Sequence, residues 1–271
     1  MNPVLYSIGG YELRWYSVLI LVAFFVGYNL VKKEANRFKI KSDFIFNMLF
    51  WALIFGVIGA RIYYVIFDYA SFKNNPIEIL MVWKGGLAIH GGLIAGLITI
   101  LVYTKKYNFR TIRILDYCVV GLIVAQAIGR WGNFFNSEAH GVVTTLEHLQ
   151  NLHIPEFVIN GMFINGVYYT PTFYYESLFC LLGFIILLFV RRHKYIKVGD
   201  VTALYLIYYG ILRIFIESSR TDALMFMGFK IAQIVSIVMI IVGLIIFIVN
   251  RKKGKFEDLY NAKSNIDELR F

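Results

Sequence analysis

The chain of 271 residues is 59% hydrophobic and only 16% charged, with a formal net charge of +10. Soluble domains average about 45–50% apolar and about 25% charged residues, so soluble, disordered, collagen-like and disulfide-framework classes are excluded. The mean hydropathy of +0.65 agrees, and the basic residues lie in short clusters between long apolar runs, the pattern of membrane topology rather than of nucleic-acid binding.

Seven runs approach the roughly 20 apolar residues needed to cross a hydrocarbon core: residues 13–31, 44–67, 86–104, 114–135, 172–190, 200–217 and 229–249. The first is not expected to be a cleaved leader, because its positive charges, Lys32 and Lys33, follow it. Lys and Arg number 17 in the connections after the first, third, fifth and seventh runs and five in the others, which predicts an outer amino terminus and an inner carboxyl terminus. The expected fold is an all-α polytopic membrane protein with seven transmembrane helices over residues 1–253. It carries a small extracytoplasmic β-containing insertion at about 137–171 and a short polar cytoplasmic tail at 254–271.

Within the insertion, residues 157–159, 162–164 and 167–169 are separated by Asn160-Gly161 and Asn165-Gly166. Asn-Gly suits both positive-φ positions of a type I′ hairpin turn, so a three-strand meander is predicted. Cys118 and Cys180 fall at different depths in their spans at about 1.5 Å of rise per residue. A disulfide does not reach between them, and they read as packing thiols.

Ionisable groups inside a bilayer are costly and each is a functional candidate by default. The topology places Tyr16, Arg61, His90, Arg130 with Asn133, Glu176, and Arg213 with Glu217 in one layer near the outer ends of six different spans. The inner halves are nearly all apolar, with Asp116 as the main exception. A channel or proton relay needs polar groups through the whole depth, so a one-sided pocket favours chemistry or binding at the outer leaflet. Arg213, Glu217 and Arg220 share one helix face, readable as a structural salt-bridge ladder or as part of a site. Arg130 and Asn133 are flanked by Gly129 and Gly132, small residues that admit a helix or a headgroup, and a guanidinium matches a phosphate bidentately. His90, in the run from Gly85 to Gly92, reads as a helix-helix hydrogen bond or as a general base with a near-neutral pKa. Gly92 and Gly96 make a packing step. His140, His148 and His153 lack companion ligands at metal spacing, so no metal site is expected, and no nucleotide-binding or nucleophile-elbow motif is present.

The run from Gly129 to Gly141, GRWGNFFNSEAHG, resembles the signature of the prolipoprotein diacylglyceryl transferases. Arg14-Trp15-Tyr16, Gly59-Ala60-Arg61, His90-Gly91-Gly92, Pro171 to Ser177, and Tyr209 to Arg213 with Glu217 and Arg220 agree in order and position, so the resemblance covers about residues 5–250. It implies a seven-helix enzyme of the bacterial cytoplasmic (inner) membrane, with its site toward the outer leaflet. Such an enzyme transfers diacylglyceryl from phosphatidylglycerol to the lipobox cysteine of a lipoprotein precursor signal peptide and releases glycerol 1-phosphate. Partners are then these two substrates and membrane lipids, with no nucleic acid and no cofactor.

On that reading His90 is the candidate base, Arg130 holds the phosphate, and Arg213 stabilises developing charge or the thiolate. Glu138, Glu217 and Glu176 orient the arginines and bind glycerol hydroxyls, with Asn133 and Asn136 as neutral donors and Gly141 closing the signature. Tyr16 bonds the phosphate or closes the lipid entrance, while Arg61 and Arg220 are as readily structural as substrate-binding. The alternatives are a non-catalytic anion or lipid transporter using the same arginines, and a receptor with an outer ligand pocket.

Overall fold

The computed structural model describes residues 3–9, 11–73, 75–221, 225–226, 228–252 and 258–262. Among them the long helices are α1 (Trp15–Arg37), α2 (Ser42–Phe67), α3 (Ile89–Lys106), α4 (Thr111–Asn136), α5 (Thr172–Val190), α6 (Asp200–Ser218) and α7 (Ile231–Lys252). They match the apolar runs to within a few residues at most ends. All but α3 are long and apolar enough to cross a membrane; the 18 residues of α3 include His90, Lys105 and Lys106, which dilute its apolar character.

Several helices stop in the same way. At the end of α1 the Ile40 amide donates to Ala35 O (3.1 Å) and the Lys39 amide to Asn36 O (3.0 Å), with Lys39 at φ 58°. That is a Schellman stop with a buried apolar residue just beyond it. Asn108 and Phe109 repeat it at the end of α3, and Ser137 and Glu138 at the end of α4.

The chain divides into two compact units, residues 1–31 with 115–268, and residues 32–114. In the second, α2 and α3 run antiparallel with backbones in near contact. A Cβ on Gly91 would stand 2.3 Å from Gly59 O, whereas one on Gly96 would meet Ala52 O at an ordinary 3.6 Å. Small residues thus let two apolar helices gain dispersion contacts where lipid offers no hydrophobic drive. The segment between them is gathered by Arg61, whose guanidinium donates to the carbonyls of Glu78 (2.5 Å), Ile79 (2.9 Å), Gly85 (2.7 Å) and Gly86 (2.9 Å). The rings of Phe72 and Tyr64 lie 5.0 and 5.9 Å from it.

In the first unit α6 is anchored at its start by a carboxylate from α4. Asp116, fully buried, accepts from the Gly199 amide (2.6 Å), the Thr202 amide (2.8 Å) and the Thr202 hydroxyl (2.6 Å). Free helix N–H groups and the helix dipole favour an anion there, so this carboxylate in an apolar helix serves as a helix cap. Of the expected tail, residues 254–257 and 263–271 lie outside the described residues. Asp258–Ala262 packs on the segment before α6: Tyr260 is buried, its amide donates to Ile196 O (2.7 Å), and Asn261 Nδ2 donates to Arg191 O (2.9 Å). Both cysteines are free.

Among the described residues, three small sheets decorate this unit. The first is a hairpin of β1 (Val4–Ile8) and β2 (Tyr11–Arg14) ahead of α1, which apolar runs alone do not announce. The insertion holds a three-stranded sheet in the order β3 (Val143–Thr144), β5 (Val167–Tyr169), β4 (Phe163–Ile164). The Asn165-Gly166 turn is as predicted, with both φ positive, but the meander is corrected: residues 157–159 belong to a short helix, Glu156–Gly161. Val158, Ile159 and Met162 are spaced to face one side of a helix and bury against Leu149, Phe134 and Phe173. The third sheet pairs β6 (Met225–Phe226) with β7 (Phe229–Lys230).

Gly91→Leu is expected to abolish the α2–α3 contact and with it most folded, monodisperse protein on size exclusion in detergent. Gly96→Leu should retain a clear majority of the wild-type yield.

Candidate active site

Polar residues of the first unit converge on one carboxylate. Glu176, in the first turns of α5 and 2% exposed, presents Oε1 to Arg130 Nη2 at 3.0 Å and Oε2 to Arg213 Nη1 at 2.9 Å. The Tyr209 hydroxyl donates to Oε1 (3.0 Å) and accepts from Arg130 Nη2 (3.4 Å). Arg213 also pairs with Glu217 Oε2, one helical turn along α6, and Arg220 Nη1 lies 3.7 Å from that same oxygen. Three guanidinium groups therefore gather on two carboxylates.

Local structure explains the convergence. Trp131 Nε1 donates to Ser177 Oγ (3.2 Å), whose hydroxyl donates to Ala127 O (2.9 Å). These bonds fix α5 against α4, with Arg130 and Glu176 adjacent in sequence to the bonded residues. On α6, Tyr209, Arg213 and Glu217 follow at four-residue intervals and share a face.

The signature continues into a turn. The Schellman stop at Ser137 (φ 53°) and a second left-handed residue, Ala139 (φ 56°), fold Glu138 back over the last turn of α4. There its Oε1 accepts from Asn133 Nδ2 (3.1 Å) and Asn136 Nδ2 (3.2 Å). Asn133 Oδ1 in turn faces Arg130 Nη1 at 3.5 Å, so Glu138 reaches the arginine through an amide. The turn is tied down by Thr172 Oγ1 donating to Ala139 O (2.5 Å) and by the Gly141 amide donating to Thr170 O (2.8 Å). A Cβ on Gly141 would stand 2.9 Å from Thr172 Cγ2, and its backbone bridges to Arg220. Tyr16 lies over Gly132, where a Cβ would come within 2.5 Å of its ring, and feels the charges of both Glu138 and Arg130.

The first unit thus brings together Tyr16, Arg130, Asn133, Asn136, Glu138, Gly141, Glu176, Arg213, Glu217 and Arg220. His90 and Arg61 belong to the second unit. His90 lies at the start of α3, half-buried, with its ring 6.2 Å from that of Tyr63. Arg61 is 6% exposed and its guanidinium is taken up by four backbone carbonyls. Two residues went unassigned in the sequence. Tyr209 sits four residues before Arg213, a signal that helical spacing offers. Lys230, whose Nζ meets the end of α6, has no such signal because it lies 10 residues beyond Arg220, outside the helix. No metal-ligand cluster of His, Cys, Asp or Glu occurs among the described residues.

Removing one partner from a buried ion pair leaves an uncompensated charge at a cost of about 3–5 kcal/mol, whereas an exposed pair contributes about 0–1 kcal/mol. Glu176→Gln is therefore expected to lower the unfolding temperature in detergent markedly. Arg14→Ala, which breaks the exposed pair with Glu12, should leave it nearly unchanged.

Comparison with known proteins places the chain in a family. A family profile described as prolipoprotein diacylglyceryl transferase matches residues 3–249. A phosphatidylglycerol–prolipoprotein diacylglyceryl transferase of Staphylococcus saprophyticus is 45% identical over 93% of this chain and 91% of its own. Another from Staphylococcus carnosus is 44% identical over 96% and 95%, and one from Listeria welshimeri 45% over 91% and 90%. With a signature this dense in ion pairs and a match over nearly its whole length, the chain belongs to the prolipoprotein diacylglyceryl transferase family.

Proposed function

We propose that this protein transfers the diacylglyceryl group of phosphatidylglycerol to the thiol of the lipobox cysteine in a lipoprotein precursor. The observation that carries the reading is the Arg130–Glu176–Arg213–Glu217–Arg220 chain, in which three guanidinium groups gather on two shared, buried carboxylates. A phosphodiester headgroup offers the anionic oxygens that a guanidinium binds bidentately. The relatives' names favour this enzyme over an anion or lipid transporter.

In the reaction the thiol loses its proton and sulfur attacks the glycerol carbon bonded to the phosphate. The C–S bond forms, the C–O bond breaks, and glycerol 1-phosphate departs with the electron pair. A free cysteine is only a few per cent thiolate at neutral pH, so a base is needed, and His90 is assigned that role on its chemistry. Arg130 is assigned the phosphate and Arg213 the developing charge, where one such contact supplies about 3–4 kcal/mol. Glu176 holds both guanidinium groups in register, and Glu138 steadies Arg130 through Asn133. Asn136 Oδ1 has no hydrogen-bond donor among the described residues, an acceptor suited to a glycerol hydroxyl. Arg220 adds to the anion field, Gly141 admits the close approach of the turn, and Tyr16 borders the site. Arg61 is read as a fastener of the segment before His90. No step calls for a cofactor.

The proposed setting is the bacterial cytoplasmic membrane, crossed seven times including α3, with the amino terminus outside, the carboxyl terminus inside and the site toward the outer leaflet. The charge asymmetry of the connections supports that orientation. Residues 1–253 form the membrane domain with its insertion at 137–171, and residues 254–271 the cytoplasmic tail.

Purified Arg130→Ala and Arg213→Ala, confirmed as folded, should each lose about two to three orders of magnitude in thioether formation on a lipobox peptide, read by mass spectrometry. Full activity in both would refute the assignment of the arginines. His90→Asn keeps a hydrogen bond without a usable base and should be about 100-fold slower or worse; normal turnover would remove His90 from the mechanism.

A further inference from the structure

The end of α6 carries Arg213 and Glu217 and leads into Arg220, and a lysine from outside that segment completes its backbone. Lys230 Nζ donates to the carbonyls of Glu217 (2.6 Å), Arg220 (2.9 Å) and Ser218 (3.3 Å). The last carbonyls of a helix have no intrahelical donor and form the negative end of its dipole, so an ammonium there is favoured twice. An ammonium has three donors, and all three are engaged, which leaves none for a phosphate. Lys230 ends β7 and directly precedes α7. That helix is pressed on α6 at small residues: a Cβ on Gly210 would lie 2.9 Å from Ser236 O, and one on Gly243 2.8 Å from Ala203 O. The ammonium is thus delivered by a rigid neighbour.

Glu217 Oε2 serves Arg213 and Arg220 together. Whether it reaches both depends on the backbone separation of Glu217 and Arg220, and Lys230 bonds the carbonyl of each. The bridge between Arg220 and Gly141 carries the same constraint to the end of the signature turn. We propose that Lys230 is a positioning residue of the transfer reaction, fixing the Glu217–Arg220 turn so that the arginine chain meets the lipid phosphate in one geometry. The inference rests on the proposed function.

The test compares wild type, Lys230→Met and Lys230→Arg as full-length protein in phosphatidylglycerol-containing vesicles, with a lipobox peptide as acceptor. Met keeps the length and removes donors and charge. It should raise KM for phosphatidylglycerol at least fivefold while KM for the peptide stays within twofold, and Arg should restore the lipid KM to within twofold of wild type. A loss of folded protein alone lowers kcat and leaves both KM values in place; that outcome, or unchanged kinetics, overturns the inference. Should Lys230→Met yield no folded protein, Lys230→Gln is measured in its stead, and an unchanged lipid KM overturns it equally. Absence of thioether with wild type refutes the proposed function itself, and the inference with it, so the two failures are distinguishable.

Discussion

One buried carboxylate organises the site. Glu176 gives one oxygen to an arginine of α4 and the other to an arginine of α6, and like charges brought so near in a medium of low dielectric separate unless an anion stands between them. Its position depends on the next residue, since Ser177 is bonded to both Trp131 and the Ala127 carbonyl. The helix packing and the electrostatics are therefore one constraint. The aromatic cluster around Trp131 and Phe173 sets the α4–α5 approach, and that approach decides whether two guanidinium groups face the same point.

A second constraint lies in the turn after α4. Left-handed backbone at Ser137 and Ala139 costs of order 1–3 kcal/mol per residue. It is offset by the Asn133 and Asn136 amides on Glu138, by Thr172 on the Ala139 carbonyl and by the Gly141 amide on Thr170. The signature thus reads as a helix end, a strained reversal and a backbone clamp in succession. Asn133, Asn136 and Glu138 serve the reversal and the arginine beside it.

The helices were legible because apolar runs are long and interrupted by charge, and their ends shifted for local reasons. α1 runs on to Arg37 because Lys32 to Arg37 still follow the helix before the Schellman stop. α3 begins later than expected because Gly85 and Gly86 take positive φ. Residues 157–159 misled because a three-residue apolar stretch beside Asn-Gly fits a strand as well as a helix; Pro155 at the cap and the spacing to Met162 decided for helix. The Arg213–Glu217 pair was legible from its four-residue spacing. Glu176 reads in the sequence as one of three carboxylates that orient the arginines; that it alone joins Arg130 to Arg213 does not, because partners from another helix leave no periodicity in the sequence.

Charged residues in apolar helices divide here by the kind of partner that completes them. Arg61 is surrounded by four backbone carbonyls and two aromatic rings, and Asp116 by two backbone amides and a hydroxyl that directly precede or begin a helix. Backbone partners cannot leave without unfolding the segment, so these charges are spent on structure. Arg130, Arg213 and Arg220 instead share side-chain carboxylates, Glu176 between the first two and Glu217 between the last two. A shared counter-ion can redistribute toward whichever arginine a substrate phosphate does not engage, at the cost of a side-chain rotation rather than a local unfolding. Cost alone marks any ionisable group in a bilayer as a candidate; the exchangeability of its partners is what separates a binding site from a staple.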